Sequence, residues 1–494
     1  MSAANEADRG SVGVLAGLDT STTTSFYWYL TLLACVGGFL FGYDTAVIGS
    51  VLDFIPYDLS DLATGYLVAG ASLGAAAGAL AAGPFTDRFG RKSLLIVDAA
   101  IYAVGAILSA FTVNAEMLII SRTLIGLAVG ADSAIATAYI AEFAPANRRG
   151  QLSIIQQWMI TVGILSSYLI ALLVFTIAPD EATGADWRVI LGLGAVPAVI
   201  AVLLRAKMPE SPRWLLHKGR IEDACKALGQ LGIRVTEDQA RQTADELADI
   251  ETRQRRVHKR RWTPGVKRAM GVVCVFFVFQ QITGINVPFY YGPQLLGDLF
   301  QEGSASALDS AMAGLQSAAL LGAVNVVATY FGFRYIDRLG RRPLALAGFA
   351  GMAVFMVVAA IGVAALTGTP KIVLVMIGFS FFITSFAMGV GGTGWLIQGE
   401  VFPTSVRGTA AASAATVNWL ANFVIIVAFP VMNTAFGLPA VMLLFTGLAV
   451  LAFLFVARYL PETKGLSVEE VVQVFERQSG TTSPPASSAG RGPS

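Results

Sequence analysis

Twelve runs of about 20 apolar residues follow one another along this 494-residue chain, at 26–50, 62–84, 93–113, 116–138, 152–176, 188–206, 269–298, 310–333, 343–367, 372–398, 409–436 and 438–459. A hydrocarbon layer about 30 Å thick takes about 20 helical residues to cross, and it holds no water to satisfy a backbone that is not helical. The fold class that follows is an all-α membrane protein with twelve transmembrane helices. With 55% hydrophobic and only 14% charged residues, the chain is no ordinary cytosolic enzyme. A net charge of +1 gives no reason to expect nucleic acid, and Cys35, Cys225 and Cys274 are too scattered to form a disulfide framework.

The basic residues orient the spans. If both termini lie inside, every Lys and Arg except Arg122, Arg188 and Lys371 falls at the cytoplasmic face, and the outer loops carry Asp53, Asp58, Asp61, Asp180, Glu181, Asp298 and Glu302. The expected organisation is a cytoplasmic tail over 1–25 without a cleavable signal, a six-helix bundle over 26–206, a cytoplasmic loop over 207–268, a second six-helix bundle over 269–460 and a cytoplasmic tail over 461–494. That tail is expected to be disordered from Gln478 onward, where Ser, Pro, Gly and Thr dominate. Within the loop, 221–230 and 237–256 read as helices, and the basic run 253–261 reads as a segment facing lipid headgroups.

The two bundles repeat each other. Asp87-Arg88-Phe89-Gly90-Arg91-Lys92 returns as Asp337-Arg338-Leu339-Gly340-Arg341-Arg342, and Glu142-x-x-Pro145-x-x-x-Arg149-Gly150 as Glu400-x-x-Pro403-x-x-x-Arg407-Gly408. Pro209-Glu210-Ser211 returns as Pro461-Glu462-Thr463. The spacing of about 250 residues makes two halves of one topology, related by an axis along the membrane normal. Together with Pro209-Glu-Ser-Pro-Arg-Trp-Leu215, Gln280-Gln-Ile-Thr-Gly-Ile-Asn286 and Pro461-Glu-Thr-Lys-Gly465, these motifs resemble the sugar porter branch of the major facilitator superfamily, from Gly37 to Gly465.

Two enzyme-like patterns are coincidental. Gly70-Ala-Ser72-Leu-Gly74 looks like a nucleophile elbow and Gly389-x-Gly391-x-x-Gly394 like a dinucleotide loop, yet both lie inside apolar helical runs with no strand before them. The only histidines, His217 and His258, are in the cytoplasmic loop. Gly70, Gly74 and Gly78 read better as a helix-packing stripe.

Ionisable groups inside a membrane are costly and default to function. Asp44 and Arg122 lie at similar depth on the first and fourth spans and are expected to pair. The resemblance implies a proton-coupling role, because an acid closing Phe41-Gly-Tyr-Asp44 marks the proton-coupled members. Asp132 departs from the family's small apolar residue and reads equally as a second proton site or as a cap for polar groups near the cytoplasmic end. Asp98 is expected to snorkel.

A sugar presents many hydroxyls, so its site needs amides and aromatic faces. Gln157, Gln280, Gln281, Asn286, Asn325, Trp395, Asn418, Trp419 and Asn422 supply them from five spans, and by resemblance they match sugar-binding positions. Tyr290 and Tyr291 are expected to gate the site from outside. Glycines at 389–394 replace the family's usual prolines before Trp395 as a bending point. Asp87, Arg91, Glu142 and Arg149, with their repeats Asp337, Arg341, Glu400 and Arg407, are expected to form a cytoplasmic gate whose ion pairs exist only in the outward-facing state.

The reading is a multi-pass plasma-membrane carrier that imports a monosaccharide by proton symport through alternating access. Its partners are sugar, proton and lipid bilayer, with no obligate protein partner, and no cofactor or metal is implied. A passive facilitator, a proton symporter for a cyclitol or organic acid, and a signalling carrier are the alternatives.

Overall fold

The computed structural model describes residues 14, 25–143, 149–177, 186–256, 262–300, 307–402, 404–464 and 468–478. Among these, twelve helices are long and apolar enough to cross a membrane: Phe26–Phe54, Asp61–Phe89, Arg91–Ala110, Ala115–Ile140, Ile155–Ile177, Asp186–Arg205, Pro264–Ile282, Leu308–Ile336, Arg341–Ala365, Gly368–Val401, Gly408–Phe436 and Leu438–Tyr459. They are called the first to twelfth spans below. Large side chains such as Ile120, Leu173, Val354 and Leu454 are exposed on their outer surface, where lipid replaces water as the solvent. Helices Ile221–Gln230 and Glu237–Arg256 lie in the loop between the halves, over the ranges expected of them.

Three spans depart from a plain rod. The seventh, expected as one helix over 269–298, stops at Ile282 and resumes as the short helices Val287–Tyr290 and Gly292–Phe300. Gly284 makes the break: its φ is +84°, and a Cβ there would stand 2.5 Å from the Phe445 ring. The sixth is interrupted between Asp186–Gly192 and Ala195–Arg205, four residues before the position where Pro197 has no N–H to donate. The tenth runs on through its glycine segment, but Ala387–Gly391 forms a π turn that holds one extra residue.

Small residues set how closely the spans approach. A Cβ on Gly74 or Gly78 would come within 2.1 Å of the Thr123 or Leu127 carbonyl on the fourth span, so the stripe packs backbone on backbone as expected, although Gly70 has more room. The halves meet where Gly65 lies against the Val427 backbone and Gly49 against the Tyr290 carbonyl, close approaches toward the ends of the spans away from the basic motifs. Tyr66 packs edge-on against Phe423 in the same layer.

At the basic face, the three repeated motifs of each half converge on one cluster. Arg91 donates from Nε to Glu142 (2.9 Å) and lies 3.5 Å from Asp87, while Arg341 donates to both oxygens of Glu400. Glu210 accepts the first backbone N–H groups of the third span, and Glu462 those of the ninth. A carboxylate at a helix N-terminus satisfies orphan donors and meets the positive end of the helix dipole. Both ion pairs lie inside one half, so neither has to break when the halves separate. The pairs are thus placed within each half and not across the two. The side chains of Arg149, Asp337 and Arg407 lie outside the described residues.

Glu462 also carries a pH signature. Desolvation pushes its carboxyl up, but the N–H groups of Lys464, Arg341, Arg342 and Thr463 outweigh it and hold the carboxyl below its ordinary value of 4.5. A depressed value stabilises the fold above 4.5, and that stabilisation is lost only as pH falls through the lower folded value. Glu462→Gln is therefore expected to lower the thermal midpoint at neutral pH, with the gap to wild type closing on acidification. A gap that stays constant with pH would contradict this.

Candidate functional site

The first and fourth spans bring Asp44 and Arg122 together at mid-depth, as expected from their positions along the helices. Arg122 meets the carboxylate in a fork, Nη1 to Oδ1 at 3.2 Å and Nη2 to Oδ2 at 3.3 Å, with both residues at most 3% exposed. Its remaining donors go to the second span, to the carbonyls of Leu67 (3.1 Å) and Val68 (3.4 Å). The guanidinium thus keeps partners even when the carboxylate is neutral.

One turn further along the second span, Ser72 begins a chain of hydrogen bonds that crosses between the halves. Its hydroxyl donates to Asn422 Oδ1 at 2.9 Å, and Asn422 Nδ2 donates to Gln281 Oε1 at 3.0 Å. Gln281 also accepts from Asn286 Nδ2 at 2.7 Å and donates to Asn418 Oδ1 at 2.8 Å. Gln281 is the hub. It reaches these partners because the seventh helix ends at Ile282, which lets Asn286 fold back beside it. The hydroxyl of Tyr290 lies against Thr45 and Ser72, linking the residue next to Asp44 to the amide chain.

Comparison with known proteins bears on what such a site carries. The profile of the family described as "Sugar (and other) transporter" matches residues 30–475. The chain belongs to the sugar porter family of the major facilitator superfamily. It is 32% identical to the glucose transporter GlcP of Staphylococcus epidermidis over 92% of this chain and 98% of that one. It is also 32% identical to the arabinose-proton symporter of Bacillus subtilis, over 90% of this chain and 95% of that one. The inward-open structure of the xylose transporter XylE from E. coli superposes with a TM-score of 0.75 at 28% identity, covering 91% of this chain and 99% of that one. The protein is a multi-pass plasma-membrane sugar transporter and not an enzyme.

Within this sugar porter, the other expected residues divide. Gln280 does not join the amide chain; its Nε2 donates to the carbonyls of Val390 and Gly391, both 3.0 Å away, in the π turn of the tenth span. Asn325 accepts from Thr329 on its own helix, the eighth span, and makes no hydrogen bond to the amide chain among the described residues. Trp419 is buried edge-on against Phe41 of the other half at 4.9 Å, and Trp395 packs on Phe277 at 5.1 Å. Gln157 is half-buried on the fifth span, where Trp158 bonds across to the Val326 carbonyl. Tyr290 and Tyr291 are both buried, the latter donating to the Ile426 carbonyl at 3.0 Å, so they tie the seventh span to its neighbours.

Two sets of residues escaped the sequence reading. Ser72 was set aside with the enzyme-like pattern around it; its hydroxyl, alone among small apolar neighbours on a packing face, was the available signal. Asp98 was expected to snorkel, yet it is 4% exposed and lies 2.9 Å from Arg205, which also meets Asp132 at 2.6 Å. Arg205 ends the sixth span, among the basic residues that the sequence places collectively at the cytoplasmic face.

Proposed function

We propose that this chain imports a monosaccharide together with a proton, with the basic-motif face in the cytoplasm. The observation that carries this reading is the buried Asp44–Arg122 fork, set beside an amide chain that runs from Ser72 in one half to Gln281 in the other. Amides and hydroxyls offer donors and acceptors without charge, which suits a neutral polyol. The arabinose-proton symporter and glucose transporter among its relatives support the same substrate class.

Coupling follows from the fork. With Asp44 ionised, the first, second and fourth spans are clamped through Arg122. Protonation removes the Coulomb attraction while the Leu67 and Val68 carbonyls keep the guanidinium in place, so those spans gain freedom to shift. Tyr290 and Thr45 carry that shift to the sugar site. Alternating access then needs the close contacts at Gly49 and Gly65 to part on one side as the other closes.

An organic-acid substrate is disfavoured, because the two buried arginines among the described residues of the first half, Arg122 and Arg205, are each held by aspartates. The test is uptake of labelled monosaccharides into vesicles containing the purified protein. An inward proton gradient should raise internal sugar above external, and a protonophore should abolish that excess. Equilibration to equal concentrations regardless of the gradient would establish a facilitator instead.

A further inference from the structure

Arg205, Asp98 and Asp132 meet near the basic face of the first half, and the substrate site uses none of them. The guanidinium, 1% exposed, donates to the carbonyls of Leu95 (2.7 Å), Ala34 (3.0 Å) and Leu33 (3.2 Å) and to Asp98 Oδ1 (2.9 Å). Asp132 Oδ1 lies 2.6 Å from Nη2 as a charge contact rather than an aligned hydrogen bond. One cation therefore serves two carboxyls, each 4% exposed. A second ionised carboxylate without compensation is costly enough in such a place that the group holds a proton instead.

The geometry agrees with that count. The two carboxyls come within interaction range of each other, where a single proton between them would remove the like-charge repulsion, and no N–H or hydroxyl among the described residues reaches Asp98 Oδ2 or Asp132 Oδ2. Gly37 makes the approach possible, since a Cβ there would overlap the Asp132 carboxylate of the fourth span. The other ionisable neighbours are the buried Cys35 thiol of the first span and Tyr102 of the third, whose hydroxyl donates to the Leu40 carbonyl.

A cavity of about 10 Å³, room for about one water, touches Asp98, Asp132 and Arg205 and extends to Leu40 and Tyr102. Leu40 is one helical turn, about 6 Å, from Asp44 on the first span. Tyr102 lies close enough to Asp44 to feel its charge. The cavity thus leads from the carboxyl pair toward the coupling acid.

We propose that Asp98 and Asp132, clamped by Arg205, form a second proton site that passes the coupling proton from Asp44 to the cytoplasm. This rests on the symport reading. In each cycle the pair gives its shared proton to cytoplasmic water and is refilled, through the cavity, by the proton leaving Asp44. Asp44 then rejoins Arg122 as a carboxylate. One proton enters the pair, one leaves, and the pair ends as it began.

Asp132→Asn tests this with little disturbance, because Arg205 and Asp98 remain as a neutral pair while the shared proton is lost. In vesicles, sugar exchange, which needs no net proton movement, should stay near wild type. Sugar-driven proton uptake should slow by about tenfold or more, with an altered pH profile. Asp98→Asn should do the same, and Gly37→Ala should reproduce part of the effect with no change of charge. Infrared spectra of the Asp44→Asn protein, in which Asp44 cannot contribute, should keep a buried carboxylic-acid carbonyl band that disappears when Asp132→Asn is added.

Wild-type proton uptake and pH profile in both Asn variants would overturn the relay alone. Absence of sugar-driven proton uptake in the wild type would overturn the symport reading and the relay with it. If the Asn variants cannot be recovered from the membrane, the infrared band decides: its absence from Asp44→Asn protein overturns the shared proton.

Discussion

Asp44→Asn is expected to abolish uphill sugar accumulation while sparing sugar counterflow. A pH difference of one unit supplies about 1.4 kcal/mol per proton, roughly a tenfold concentration ratio, and the variant should forfeit all of it. The amide is a fixed copy of the protonated carboxyl, so the carrier can still exchange sugar but cannot bind and release a proton in each cycle. Arg122 stays satisfied through Leu67 and Val68, and the Asn oxygen can still accept one of its hydrogen bonds. Accumulation that remained dependent on the pH gradient in this variant would remove Asp44 from the coupling role.

Gln281→Ala should have the largest effect on sugar binding. Gln281 accepts from Asn286 and Asn422 and donates to Asn418, so its loss strands one hydrogen-bonding atom on each of three amides at once, with Ser72 remaining a partner of Asn422 alone. Each stranded group costs about 1–3 kcal/mol, and even one such loss lowers affinity by roughly tenfold. Asn418→Ala removes a single bond from the edge of the same chain and should cost less. Equal sugar binding by wild type and Gln281→Ala, measured by isothermal titration, would place the sugar elsewhere.

The sequence exposed the elements whose signal is local. Apolar runs marked the spans, and the two loop helices were legible over the ranges 221–230 and 237–256 that the structure gives them. Asp44 and Arg122 were legible as a pair because opposite charges at equal depth in lipid have few other options. The amide residues were legible as a set but not as a network. Which partner Gln281 or Gln280 takes depends on where the seventh helix breaks, and that turns on Gly284 meeting Phe445, a contact distant in sequence. Asp98 was misread, and Arg205 not singled out, for a related reason. Near a helix end, sequence does not tell whether a charged side chain turns toward headgroups or toward a neighbouring helix, and here the first, third, fourth and sixth spans come together around them.

The extra residue in the tenth span has a rotational meaning. In a regular helix each residue turns the next by about 100°, so converting the π turn at Ala387–Gly391 to ordinary α-helix would rephase everything beyond it by about that angle. Trp395 would swing off Phe277, and Glu400 would turn away from Arg341 at the far end of the same segment. Gln280 bonds two carbonyls of that turn and so fixes the angular setting of the half-helix that carries both residues.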